Sequence, residues 1–272
     1  MTTTLREVNE VIERLWPLSG AEDWDAPGLL VGAADQPVEH VLLAVDAVRD
    51  TIDEVLVRPA GLLLVHHPLL MRGVTSVAED RYKGALIARL IRGGAALVAA
   101  HTNADVVQDG TSDVLAQRLG LQRVTPIVPA PGGLTGLGRV GDLPEPASLG
   151  AVARTLAEIL PATATGIRGS GDYGHLVRRI AVCGGAGDSL LSHPEVRAAD
   201  LYITADLRHH PASEAREQAL LGGGPALIDV SHWASEWLWL DGAAMALRAA
   251  FPDLDVRVSE LRTDPWDFVV TQ

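Results

Sequence analysis

Short apolar runs, several of them ending at histidines, constrain this chain more than any other feature. His40–Val48 reads HVLLAVDAV, Gly61–Val65 reads GLLLV and Ala95–Ala100 reads AALVAA. Runs this short and this continuous are the pattern of strands covered on both faces, as in a parallel sheet. Between them the period changes to that of helices, over Arg49–Val57, Arg81–Arg92 and Ser112–Leu119. An opening helix is predicted over Thr4–Leu18, with Leu5, Val8, Val11, Ile12 and Leu15 at helical spacing and Pro17 and Gly20 to end it. Strand and helix in alternation predict βαβ units around a mostly parallel sheet.

The rhythm returns later in the chain. Helix Ser148–Ile159 precedes strands Arg179–Cys183 and Asp200–Thr204. Helix Ala212–Leu221, strand Ala226–Val230, helix Trp233–Ala250 and a last strand near Asp255–Val258 follow. Between Thr125 and Pro146 the composition turns to proline and glycine, which marks the best boundary. The expected fold class is therefore α/β, with two α/β domains of mostly parallel sheets flanked by helices. One would comprise residues 1–125 plus 225–272 and carry most of the candidate ligands; the other would comprise 126–224.

Composition removes several classes of function. A net charge of −13 argues against a nucleic-acid surface, which needs a basic patch. No apolar stretch reaches the roughly 18 residues of a membrane span. The opening residues lack a charged stretch followed by an apolar one, so no secretory leader is expected and the cytoplasm is the expected compartment. With Cys183 as the only cysteine, no intrachain disulfide can form.

Chemistry concentrates where the runs stop. LLLVHH, LVAAHTNAD and LIDVSHWASE each place histidine at a strand's carboxyl end, where open α/β sheets gather ligands. His232 and Glu236 lie four apart at a helix start and so share one face. His101 and Asp105 share that spacing, with Asn103 between them as a turn signal. His66 and His67 are adjacent and diverge on a regular strand, which suits two ions better than one. Imidazole and carboxylate without thiolate suit zinc, iron, manganese or nickel rather than a structural cysteine-type zinc site. Two divalent ions about 3.5–4 Å apart need a bridging anion, and Glu236 is the best candidate for it. One histidine after a strand is more often an ordinary polar residue, but neither packing nor solubility asks for histidine at three strand ends.

Other features take plainer readings. His209 and His210 (ADLRHHPA) fit the surface or a pocket wall, and His40, His175 and His193 fit structural or exposed positions. Gly184–Ser189 fits a tight turn between strand and helix, with an anion cradle as the alternative. Trp233, Trp237 and Leu240 fit a core or subunit-contact stripe, and Cys183 a small core residue.

The ordered set EDWDAPGLLVG, HHPLL, AHTNAD, GLGRVGDLPEP, VCGGAG, ITADLRHH and DVSHWASE resembles the NIF-three-like dinuclear-metal proteins, also described as type-two homologues of GTP cyclohydrolase I. The resemblance runs from about Asp23 to Glu236, and the length is similar to that of the family's short form, without an inserted middle domain. It implies a toroidal homohexamer of two-domain subunits, with two divalent metal ions per subunit between the domains at the strands' carboxyl ends. The ligand set implied is His66, His67, Asp105, His232 and Glu236, with His101 as a supporting group or weaker ligand. The activity implied is metal-dependent hydrolysis of a small molecule, a nucleotide among the possibilities, or else a non-catalytic metal-binding scaffold or regulator. Two departures stand out: Ala26-Pro27-Gly28 replaces the family's Asn-Val-Gly, and Ala205 replaces a glycine.

Overall fold

The computed structural model describes residues 2–271 and divides into two compact units. Unit 1 is Met1–Val107 with Leu240–Thr263, and unit 2 is Gln108–Trp239 with Asp264–Gln272.

Unit 1 runs α1 (Leu5–Leu15), β1 (Gly28–Val31), β2 (His40–Asp46), α2 (Arg49–Val55), β3 (Gly61–His67), α3 (Tyr82–Gly93), β4 (Ala96–Ala99) and the single turn α4 (Thr102–Asp105). A capping box starts α1: the Glu7 N–H donates to Thr4 Oγ1 at 3.4 Å and the Thr4 N–H to Glu7 Oε2 at 2.7 Å. The spacing read in the sequence then buries Leu5, Val8, Val11 and Ile12 on one face.

Unit 2 runs α5 (Thr111–Arg118), β5 (Gln122–Thr125), β6 (Val128–Pro129), β7 (Gly136–Leu137), β8 (Arg139–Ser148), α6 (Leu149–Ile159), β9 (Arg168–Ser170), β10 (Leu176–Ala186), α7 (Pro194–Arg197), β11 (Leu201–Ala205), α8 (His209–Leu220) and β12 (Ala226–Val230). Helix α9 (His232–Ala250) begins in unit 2 and continues into the Leu240–Thr263 segment of unit 1, which also holds β13 (Asp255–Val258).

The unit 1 sheet has the order β1-β4-β3-β2-β13; all its pairings are parallel except that of the edge strand β1. Leu62, Leu63, Leu64 and Val65 in the middle of β3 are wholly buried. A parallel sheet covered on both faces leaves no solvent side for an alternating pattern, which is why these strands read as unbroken apolar runs. Helix α3 stops at Gly94, whose φ of 68° is the left-handed cap that glycine adopts without strain.

The unit 2 sheet, β5-β8-β10-β11-β12-β9, is mixed rather than mostly parallel. Strands β10, β11 and β12 are parallel, while β5, β8 and β9 join antiparallel. Residues 126–138 link β5 to β8 and carry the short antiparallel pair β6–β7. The proline- and glycine-rich stretch thus lies inside unit 2 as sheet. Pro144 and Pro146 fall where the β8–β10 register shifts, between the pairs Asp142–Arg179 and Ala147–Val177. A residue with no N–H costs least at such a break.

Candidate metal centre

Parallel pairing in unit 1 brings the ends of β2, β3 and β4 to one edge. His66 and His67 close β3, and in register His67 lies opposite Asp46, the last residue of β2. The His67 Nδ1–H donates to Asp46 Oδ1 at 2.7 Å, and the other oxygen of Asp46 accepts from Thr263 Oγ1 at 2.5 Å. His66, wholly buried, directs Nδ1 at the Ala100 carbonyl, 2.8 Å away just past β4. His101 directs Nδ1 at Asp25 Oδ1 at 2.8 Å. Asp25 is itself enclosed: Oδ1 also accepts from the Ala26 N–H, and Oδ2 from the N–H and hydroxyl of Thr102. Burial pushes the Asp25 carboxyl up, but bonds from Thr102 and His101 outweigh it and hold it below the usual range. Burial and the neighbouring His66 lower the pKa of His101, despite the pull of Asp25 and Asp105, and so favour its neutral ring.

The consequence is chemical. An oxygen acceptor at Nδ1 places the proton there and leaves Nε2 as the nitrogen with a lone pair. Histidines that bind metal are steadied in this way by carboxylates and carbonyls. His66, His67 and His101 offer ligand atoms within 4.8 Å of one another. Asp105 Oδ1 lies 3.6 Å from His66 Nε2. Asp105 reaches that position because His101–Asp105 forms one helical turn rather than the open turn Asn103 predicts. Asn103 pins the turn instead, accepting from the His101 N–H at 2.9 Å and donating to the Trp16 carbonyl at 2.7 Å.

Unit 2 repeats the device at the ends of β11 and β12. Asp206 follows β11 in a left-handed conformation and accepts from His232 Nδ1 at 2.8 Å. Glu236, one turn along α9 and nearly buried, places Oε1 3.0 Å from His232 Nε2. Burial pushes the His232 imidazolium down, but Glu236 and Asp206 overcome it and raise the pKa to about 11. Behind them passes the last part of β10, where its register with β11 shifts between Val182 and Ala186. A Cβ on Gly185 would lie 2.3 Å from Glu236 Oε1 and 3.2 Å from His232 Nε2, and its φ is 68°. The Gly185 N–H donates to Ser235 Oγ at 3.0 Å, which in turn donates to the His232 carbonyl. This glycine is required by close approach to the ligand-like pair, which the tight-turn reading left out.

Asp25, Asp46 and Gly185 carry roles that the sequence did not reveal. Asp46 had one signal, a carboxylate closing an otherwise apolar strand. His209 and His210 are exposed at the start of α8, their rings paired at 5.3 Å. His40 is buried on the Val55 carbonyl, and His193 caps α7. Of the two departures, Ala26 touches Asp25, and Ala205 is buried at the end of β11.

Among the described residues, no helix is long and apolar enough to cross a membrane. Residues 3–265 match the model of the family Duf34/NIF3 (NGG1p interacting factor 3). The chain is 48% identical over 269 residues to a Streptomyces coelicolor protein named GTP cyclohydrolase 1 type 2 homolog, covering 96% of this chain and 93% of that one. A Mycobacterium leprae protein of the same name is 36% identical, with 98% and 96% covered; that alignment spans 375 positions, so the relative carries inserted sequence. Among solved structures, a Bacillus cereus protein related to NIF3 superposes with a TM-score of 0.88 at 24% identity, covering 99% of this chain and all of that one. A Staphylococcus aureus hypothetical protein also scores 0.88, at 27% identity and with the same coverage. With a family match over nearly its whole length and relatives this similar, the chain belongs to the Duf34/NIF3 family.

Proposed function

We propose that this protein binds two divalent metal ions through His66, His67, Asp105, His232 and Glu236 and uses them to hydrolyse a small molecule. One observation carries the reading: His66, His67, His101 and His232 each present Nδ1 to a carboxylate or carbonyl oxygen. Packing alone gives no reason to turn four rings the same way, whereas ligation through Nε2 does. The donors fit zinc, iron, manganese or nickel. Bound in such a pair, these ions lower the pKa of a water toward neutrality and polarise a substrate oxygen.

The chain's own groups prepare that chemistry. Asp25, Asp46 and Asp206 fix the rings of His101, His67 and His232. Asp105 and Glu236 supply negative charge beside His66 and His232. Gly185 keeps the space beside Glu236 clear. The relatives' name makes GTP the first substrate to try, with phosphoesters and small amides next. The protein acts, on this reading, as a cytoplasmic toroidal homohexamer.

The test is metal analysis of freshly purified protein, followed by a screen of those substrates with the metal found. Glu236→Ala is expected to lose both metal and turnover. Turnover that persists in metal-stripped protein overturns the reading. Full metal occupancy with no turnover on any substrate favours a non-catalytic metal-binding scaffold.

A further inference from the structure

Trp24 stands beside the unit 1 histidines with 58% of its surface exposed. Its ring meets the imidazole of His101 edge to face, with centroids 5.8 Å apart and planes at 79°. His101 in turn lies 5.1 Å from the ring of His66 and 5.5 Å from that of His67. Trp24 thus offers a large aromatic face to solvent beside this polar cluster.

Trp24 is not on a slack loop. The next residue, Asp25, is fixed by bonds to His101 Nδ1, the N–H and hydroxyl of Thr102, and the Ala26 N–H. The residue that steadies His101 therefore also anchors the backbone carrying the indole. A single edge contact to His101 uses little of that ring. The rest is a flat apolar surface beside His101, whose ring centre lies 5.8 Å from that of Trp24.

We propose that Trp24 is a stacking surface for the substrate, and that the substrate therefore carries a planar conjugated ring next to the group that reaches the metal. The inference rests on the metal-binding reading above and narrows its substrate class. A saturated substrate of equal size would reach the metal equally well but gain no stacking on the indole.

Two probes with one head separate these cases. Benzohydroxamate and cyclohexanecarbohydroxamate ligate metal through the same group; the first has a flat body and the second a puckered one. Their affinities are measured by calorimetry on metal-loaded wild-type protein and on Trp24→Leu and Trp24→Phe. The wild-type preference for the flat probe is expected to fall about three- to tenfold in Trp24→Leu and to survive largely in Trp24→Phe. Comparing variants cancels any difference in the heads' intrinsic metal affinity. A preference unchanged in Trp24→Leu, or metal-loaded wild type that binds neither probe, overturns the proposal. Metal content is measured on the same samples: wild type that takes up no metal overturns the underlying reading, whereas full metal with an unmoved preference overturns the stacking alone.

Discussion

At the scale of single residues, His232 would set the terms of metal entry on the reading proposed above. Its pKa of about 11 follows from two carboxylates, Asp206 at Nδ1 and Glu236 at Nε2, prevailing over burial. Below that pH the metal-free ring is an imidazolium with no lone pair to offer, so binding must expel a proton. Metal uptake near neutral pH is therefore expected to release about one proton from His232, and the apparent affinity to rise as pH rises. Calorimetry in two buffers of different ionisation enthalpy measures that proton directly; uptake with no buffer dependence sinks the assignment. Asp46→Asn keeps the shape of the carboxylate but not its charge, and is expected to weaken metal binding about 10- to 100-fold in chelator competition. Gly185→Ala meets Glu236 Oε1 at 2.3 Å and forces a left-handed alanine. It is expected to cost roughly 1–2 kcal/mol of stability in urea unfolding and to weaken metal binding as well.

At the scale of elements, β3 is both the core of unit 1 and the arm that presents His66 and His67. Leu64 is wholly buried in it, so Leu64→Ala is expected to cost about 2–5 kcal/mol, read from the urea midpoint. The parallel strands of unit 1 were legible because burial on both faces leaves an unbroken apolar run. Strand β13 was legible as well, expected near the Asp255–Val258 span it occupies. Strands β5 to β9 were not. Gly136 and Pro129 mark a hairpin, and Pro144 and Pro146 sit at a register break, so composition there reads as linker although the backbone is paired. The histidines were legible from their place at the run ends. Their partners were not, because Asp25 and His101 stand 76 positions apart and only the sheet brings them together. Asp206 was visible but gave no sign of bonding to His232 rather than to the nearer His209 and His210.

At the scale of the whole molecule, the proposed homohexamer has a direct measure. Light scattering is expected to give six times the 28.8 kDa chain mass, and a monomer mass at micromolar concentration would refute the assembly. The other long-range feature is within the chain. Thr263, nearly at its carboxyl end, clasps the second oxygen of Asp46 across 217 positions of sequence. With one oxygen on His67 and the other on Thr263, Asp46 is held in the position that orients the His67 ring. Clipping the chain after Arg262 would undo that clasp and release a carboxylate beside His67. The position of Thr263 and the orientation of the His67 ring are thereby linked through one carboxylate.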